Sequence, residues 1–322
     1  MPKRYHVVSG LLCLALVVAA GQAQAQFSGA HTKGDFGIQS GSQAAPGFYL
    51  AVMVLRYDGD TLRDRNGDPI RVDPEGRGSL VANGFAPGIV FTSDFKIFGA
   101  NYGFMAFPAL TNNALEIPIL DSESRTDTGF GDTFLQPLNL GWHTGRADFI
   151  TGLGLYAPTG SYDPNASDNL GLGMWTFEPF VGTTLYFDEK KSWSFAATAF
   201  YETHTKKKDT DIKVGDVLTL EGGLGKSFLE GTLTVGITYY AQWKLTADDV
   251  GRDLEMLLGG QKLGKNRVFG VGPELTVPIA TKSKLIALID VRYFWESGAR
   301  TTVEGQNLVV TVTFPIPSVS LQ

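Results

Sequence analysis

From Thr232 to Leu245 the chain alternates residue by residue. One face reads Leu233, Val235, Ile237, Tyr239, Ala241, Trp243, Leu245; the other reads Thr232, Thr234, Gly236, Thr238, Tyr240, Gln242, Lys244. Successive side chains of an extended strand point to opposite sides, so this segment presents one apolar and one polar surface. The pattern returns at 285–296, where Leu285, Ala287, Ile289, Val291, Tyr293 and Trp295 oppose Asp290, Arg292 and Glu296, and again at 307–314. No stretch after residue 25 offers eighteen consecutive apolar residues, which excludes membrane-spanning helices. Period-two alternation over about ten residues is the mark of a transmembrane β-strand.

A soluble β-sandwich alternates too, but two details favour the membrane. Aromatics gather at the strand ends of the apolar face: Trp175 and Phe187, Trp193 and Tyr201, Tyr239 and Trp243, Tyr293 and Trp295. That is how an aromatic girdle reads in one dimension. The connections also alternate between short and long. The expected strands are twelve, at about 46–57, 80–93, 97–108, 129–142, 145–157, 171–187, 192–204, 215–228, 231–245, 266–279, 283–296 and 306–316. Tight turns fall at 93–96, 143–145, 188–191, 229–230 and 280–283; longer polar connections fall at 58–79, 109–128, 158–170, 205–214, 246–265 and 297–305. The fold expected is therefore all-β: a closed antiparallel transmembrane β-barrel with short periplasmic turns and longer extracellular loops. Pro137 breaks the alternation of its strand and predicts a bulge; Pro179 and Pro273 predict local irregularity. Within the 246–259 connection, Ala247, Val250, Leu254 and Leu257 have the spacing of a short helix.

The N-terminus fits export. Lys3 and Arg4 precede an apolar run over Val7–Ala20, and Ala23-Gln24-Ala25 gives a small-x-small cleavage pattern. Residues 1–25 read as a signal peptide, 26–45 as a Gly/Ser/Gln-rich leader or small plug, 46–316 as the barrel and 317–322 as a C-terminal tail. The one cysteine, Cys13, lies in the signal, so the exported chain has no disulfide, thiolate metal site or cysteine nucleophile. Cleavage removes two of 27 basic residues and none of 33 acidic ones, so the net charge moves from −6 to −8. That sign disfavours a nucleic-acid partner. Thirty-nine glycines in 322 residues, about 12% against roughly 7% in ordinary proteins, suit a curved and closed sheet.

If the apolar faces meet lipid, the opposite faces line the interior. Glu178, Glu202, His204, Glu221, Glu274, Asp290, Arg292 and Glu296 then project inward, because charge is costly on the lipid side. Arg292 is the expected partner of two or more of these carboxylates. They serve either as a polar conduit or binding site, or as an ion-pair network that fills the barrel; twelve strands lie between packed eight-stranded barrels and open sixteen-stranded porins.

Catalysis finds little support. His31 falls in the leader and His143 in a tight turn, so neither suits a built site. Glu202 and His204 share a face and have the makings of an acid–base pair, but no nearby serine completes it. A zinc site on the same two residues lacks a third ligand. Gly222-Gly223-Leu224-Gly225-Lys226 lies in a strand with no helix after it and is no nucleotide fingerprint. Lys206-Lys207-Lys208 reads as a solvated loop tip beside Asp209 and Asp211. No catalytic residue, metal or cofactor is expected.

Several segments carry a family likeness. Residues 34–50 (GDFGIQSGSQAAPGFYL), Asn101–Met105, Gln136–His143, Tyr156–Tyr162, Phe200–His204 and Gly272–Thr276 together resemble the outer-membrane proteins grouped as the "MetA-pathway of phenol degradation" family, from about Gly34 to Pro317. The resemblance implies a barrel labelled as a transporter and associated with catabolism of phenols or related hydrophobic compounds. It implies no catalytic or binding motif. The chain departs from many outer-membrane barrels at its end: Phe314 closes the last strand, yet Pro315–Gln322 follow the aromatic residue that barrel-assembly machinery reads.

The expectation is an outer-membrane channel or transporter of a Gram-negative bacterium, surrounded by membrane lipid and lipopolysaccharide, passively admitting small, partly hydrophobic solutes. The alternatives are a structural or surface-interaction barrel with a plugged lumen and, less favoured, an outer-membrane lipid hydrolase.

Overall fold

The structure, a computed structural model, describes residues 28–70, 79–117, 122–166, 168–228, 233–251, 265–281 and 284–316. The alternating segments form β1 (Gly47–Arg63), β2 (Ser79–Ile97), β3 (Ala100–Phe107), β4 (Leu110–Ile117), β5 (Ser122–Arg125), β6 (Gly129–Phe130), β7 (Thr133–His143), β8 (Ala147–Ala157), β9 (Thr176–Tyr186), β10 (Trp193–His204), β11 (Val217–Phe228), β12 (Leu233–Lys244), β13 (Arg267–Ala280), β14 (Leu285–Arg300) and β15 (Thr302–Ile316). Every pairing is antiparallel. β1 bonds to β2 on one side and β15 on the other, and β3 pairs with β7, so twelve strands close into a barrel. Closure gives each of these twelve strands a partner on both sides, the condition for a sheet to cross lipid.

The remaining three segments extend the wall. β4 continues the line of β3 beyond Pro108 and pairs with β2 from Phe85↔Leu110 to Ser79↔Glu116; β5 and β6 pair with β4. The expected connection at 109–128 therefore contains strand. The strands bordering two other polar connections also run on. β1 continues to Arg63, and β14 reaches Arg300 before a turn at Thr301 (φ 52°) starts β15. The expected loop over 297–305 is thus mostly strand. β14 and β15 pair with each other only as far as Trp295↔Gln306. Beyond that, β15 pairs with β1 up to Arg63↔Thr302, and Gly298 (φ 65°) sits in the register shift of β14 against β13. The turn expected at 93–96 lies instead at Phe98-Gly99. Ser93 explains the shift: its Oγ donates to Phe95 O at 2.7 Å and accepts from Tyr102 N at 3.0 Å, so polar residues here brace a bulged strand rather than reverse it. β9 begins at Thr176, later than the expected 171.

Pro137 sits in a register shift between Leu135 and Leu138. Pro179 and Pro273 keep register with one neighbour, at Leu153↔Pro179 and Ile237↔Pro273. They interrupt the ladder to the other, as expected: β9–β10 pairing skips from Phe180 to Phe177 and β13–β14 pairing from Val271 to Glu274. The signal peptide, the tail and residues 252–259 of the expected helical stretch lie outside the described residues.

Burial follows the alternation. Along β12, Thr234, Thr238, Tyr240 and Lys244 are buried while Val235 and Ile237 are exposed. Around the barrel Val181, Leu224, Ile237, Val271 and Trp295 are all exposed large apolar groups. A belt of this size facing water would be an aggregation surface; facing lipid it is the solvent-matched side.

Residues 28–45 add no strand. They run through the inside of the barrel as a string of turns, closed by Asp35 N→Thr32 O (3.3 Å), Ser40 N→Gly37 O (2.9 Å) and Ser42 N→Gln39 O (2.9 Å). His31, Ile38, Ser40 and Gln43 on this segment are buried. Phe36 packs on Phe200, which with Ile150 and Phe180 forms one apolar cluster of the interior.

Candidate functional site

The inward carboxylates meet backbone N–H groups of the N-terminal segment. Glu221 Oε1 accepts from Gly34 N at 2.6 Å and its Oε2 from Phe36 N at 3.1 Å. Glu202 Oε1 accepts from Ala30 N at 2.6 Å and His31 N at 3.0 Å, and Glu274 Oε2 from Ile38 N at 2.8 Å. An ionised carboxylate without partners is very costly to bury. Bonds to a charged acceptor are roughly twice as strong as neutral ones, so the segment and the wall satisfy each other. Glu202 on β10 and Glu221 on β11, with Glu178 on β9, fall on the inward register of adjacent staves, and Glu274 falls on that of β13.

His31 sits at the centre. Its Nδ1 is 2.7 Å from Glu178 Oε2, its Nε2 is 3.2 Å from Glu221 Oε1 and 3.8 Å from Asp35 Oδ1, and its ring lies 4.5 Å from that of Phe200. Burial by itself pulls the imidazole pKa down. The facing charges of Glu178 and Asp35, with the hydrogen bonds of Glu178 and Glu221, outweigh that and hold it well above the ordinary value. Asp35 is held well above the ordinary carboxylate range, chiefly by burial.

Two further contacts pin the segment. Arg292 donates from Nη1 to Gly34 O (2.9 Å) and to Asp35 O, from Nη2 to Thr311 Oγ1 (2.8 Å), and pairs through Nε with Asp290. Asp290 also accepts from Thr276 Oγ1 at 2.6 Å. Lys33 Nζ lies 2.5 Å from Glu296 Oε1; the same carboxylate receives Tyr57 Oη (2.7 Å) and Tyr240 Oη (2.8 Å). Beyond Lys33, Ile38 fits against Gly223, Gly225 and Gly236. A Cβ on any of these would stand 2.8–2.9 Å from the isoleucine side chain. Glycine here serves a close approach by the segment, and at Gly223 and Gly236 also by the carbonyl of the adjacent wall strand.

Seven of the eight inward residues named from the sequence thus contact the segment or a group that does. The eighth, His204, stands apart: its Nδ1 meets Thr176 Oγ1 at 2.8 Å, while Glu202 is engaged by Ala30 and His31. The suggested acid–base pair is not made. Arg292 serves two of the inward carboxylates, as expected: it pairs with Asp290, and its charge also acts on Glu274, its cross-strand neighbour, while backbone N–H groups, His31 and Lys33 serve the others. His31 itself is a correction, since a leader histidine looked unfit for a built site and is instead among the most enclosed groups. The one signal was the family likeness of 34–50, which covers much of the inserted segment.

Beside the segment lies a cavity of about 220 Å³. Phe36 and Thr32 close it from the segment side; Met53, Val90, Met105, Phe107, Phe134 and Tyr156 line it from β1, β2, β3, β7 and β8. Its lining is predominantly apolar, with Asp35 and Asp132 at its margin. An apolar cavity of about 150 Å³ is enough to take a benzene ring.

The chain matches the model of the family described as "Putative MetA-pathway of phenol degradation" over residues 59–312. Among solved structures the fold is similar to an outer membrane channel from Pseudomonas putida F1, with TM-score 0.69 at 11% identity over 89% of this chain and 100% of that one. It is also similar to the transport unit of the autotransporter AIDA-I from Escherichia coli, with TM-score 0.53 at 8% identity over 93% of this chain and 97% of that one. At these identities the likeness establishes the outer-membrane barrel fold. No curated protein matches the chain significantly in sequence.

Proposed function

This chain belongs to that phenol-degradation family, and we propose that it is an outer-membrane channel that passively admits small, neutral, partly hydrophobic molecules of single-ring aromatic size. The observation that carries this reading is the 220 Å³ cavity between Phe36 and the Met53/Met105 wall. A filled barrel would be packed solid there; this one keeps a predominantly apolar space sized for one ring. The described residues that line it include no Lys, Arg or His to hold an anion, so neutral phenols fit better than ionised aromatic acids. Glu178, Glu202, Glu221, Glu274, Asp290, Arg292 and Glu296 serve this path indirectly, by seating the segment that forms one wall of the cavity. The role is non-enzymatic, with lipid around the barrel and a small solute as its cargo.

A plugged structural barrel is the second reading, favoured by the density of contacts between residues 28–45 and the wall. Uptake of labelled neutral aromatic solutes and of aromatic carboxylates by intact cells, with and without the protein in the outer membrane, separates the two. Faster entry of the neutral solute alone supports the channel; no increase for either supports the plug.

A further inference from the structure

We propose that His31, Asp35 and Glu221 form a binding site for one divalent transition-metal cation of the zinc class, which fastens the N-terminal segment to the barrel wall. It goes beyond the channel reading and does not depend on it.

The donor set is the first argument. Imidazole nitrogen and carboxylate oxygen are both donors such ions accept, and three protein ligands leave a fourth position open. His31 Nε2, Asp35 Oδ1 and a Glu221 oxygen all lie within 4.8 Å of one another. The Nε2–Glu221 Oε1 separation is 3.2 Å and the Nε2–Asp35 Oδ1 separation 3.8 Å. Around a tetrahedral ion with bonds of 2.0–2.1 Å, neighbouring donors stand about 3.3–3.4 Å apart. Adjustments of a few tenths of an ångström bring these pairs onto an ion.

The second argument is orientation. Glu178 Oε2 holds Nδ1 at 2.7 Å, which turns Nε2 toward Asp35 and Glu221, where an ion would take the place of its proton. A metal-bound histidine is typically held this way, by a carboxylate on its other nitrogen.

The third is an oxygen without its complement. Asp35 Oδ1 is buried and accepts no hydrogen bond. A buried carboxylate oxygen in that condition calls for a cation or water. Asp35 also borders the cavity, which gives the site a side open to small ions. The site spans two parts of the chain: His31 and Asp35 belong to the segment, Glu221 to β11.

The rival occupant of Nε2 is a proton shared with Glu221, and the experiment discriminates. Full-length protein in detergent, stripped with chelator, is titrated with Zn²⁺ in a calorimeter, and separately with Co²⁺ while the visible spectrum is recorded. The expected result is one ion per chain. Affinity should fall in His31→Gln and Asp35→Asn by more than the roughly 10–100-fold that losing an outer hydrogen-bond partner costs, and should be unchanged in His143→Ala. Equal binding by His31→Gln and Asp35→Asn, or loss of binding in His143→Ala, overturns the site. If the variants fail to assemble, the wild-type spectrum decides. Intense visible Co²⁺ bands of a four- or five-coordinate ion are expected; a spectrum identical to Co²⁺ in buffer means that the proton holds the place.

Discussion

His31 Nδ1 and Glu178 Oε2 stand 2.7 Å apart across 147 residues of sequence. The contact joins a turn of the N-terminal segment to the inward face of β9, and both side chains are fully enclosed. Nothing in either local sequence announces it. It forms because closing the barrel brings Glu178, Glu202 and Glu221 to one region of the interior, where the segment supplies a histidine and a run of free backbone donors.

Glu221 is the carboxylate with most calls on it from the segment. Glu221→Gln keeps its shape but weakens two charge-assisted bonds, to Gly34 N and Phe36 N. Loss of about 2 kcal/mol from the local seating energy is expected. Amide hydrogen exchange at Gly34 and Phe36 should accelerate roughly thirtyfold, since each 1.4 kcal/mol is a factor of ten. The barrel strands should keep their protection.

Ile38 and Gly225 make a second, purely steric test. A Cβ at 225 would lie 2.9 Å from Ile38 Cδ1 and 3.0 Å from Ser194 Oγ. Gly225→Ala should therefore loosen the segment, at a cost of about 1–3 kcal/mol for overpacking. Ile38→Val removes the clashing Cδ1. The double variant should be closer to wild type than Gly225→Ala alone, a coupling read in a double-mutant cycle of segment exchange rates. Additive effects would place Ile38 elsewhere.

Deleting residues 28–45 should leave the wall intact and clear its interior. The strands pair with one another, not with the segment. The shortened protein should still migrate faster on a gel before boiling than after. Its conductance in a planar bilayer should rise, because a twelve-stranded wall is wider than the eight-stranded barrels that side chains alone fill. Unchanged conductance would mean that something else occludes the lumen.

The barrel wall was legible in the sequence because alternation is a property of neighbouring residues. Thr234, Thr238 and Tyr240 point inward because they alternate with Val235, Ile237 and Tyr239. The inserted segment was not legible, because its bonds to Glu202, Glu221 and Glu274 come from backbone N–H groups that every residue carries. Composition also misled at 297–305, where Gly298 and Gly305 look like loop but lie within β14 and β15. Lys207 misled in the same way: within a basic, loop-like triplet, it is buried while Lys206 stays in solvent.

That burial has a measurable consequence. Desolvation pulls the Lys207 ammonium down to about 8, against the opposing charges of Asp132 and Asp248. Its Nζ donates to Leu172 O at 2.6 Å. The folded loops then bind fewer protons than the unfolded chain between pH 8 and the ordinary 10.5, so this group makes them more stable as pH rises through that window. A ¹⁵N titration of the lysine side chains should show Lys207 changing charge near pH 8. Lys206, paired with Asp211, should change above its ordinary value.

The cavity beside Phe36 carries the functional account, and filling it is the most direct test. Ala86 is buried and lines the cavity opposite the segment. The measurement is the initial rate at which intact cells take up a labelled neutral phenol, for wild type and for Ala86→Trp at equal levels of assembled barrel. The account predicts that the protein-dependent rate falls by about tenfold or more once the indole occupies the space a single ring needs. Equal rates for the two proteins would contradict it, and would place the solute path outside this cavity.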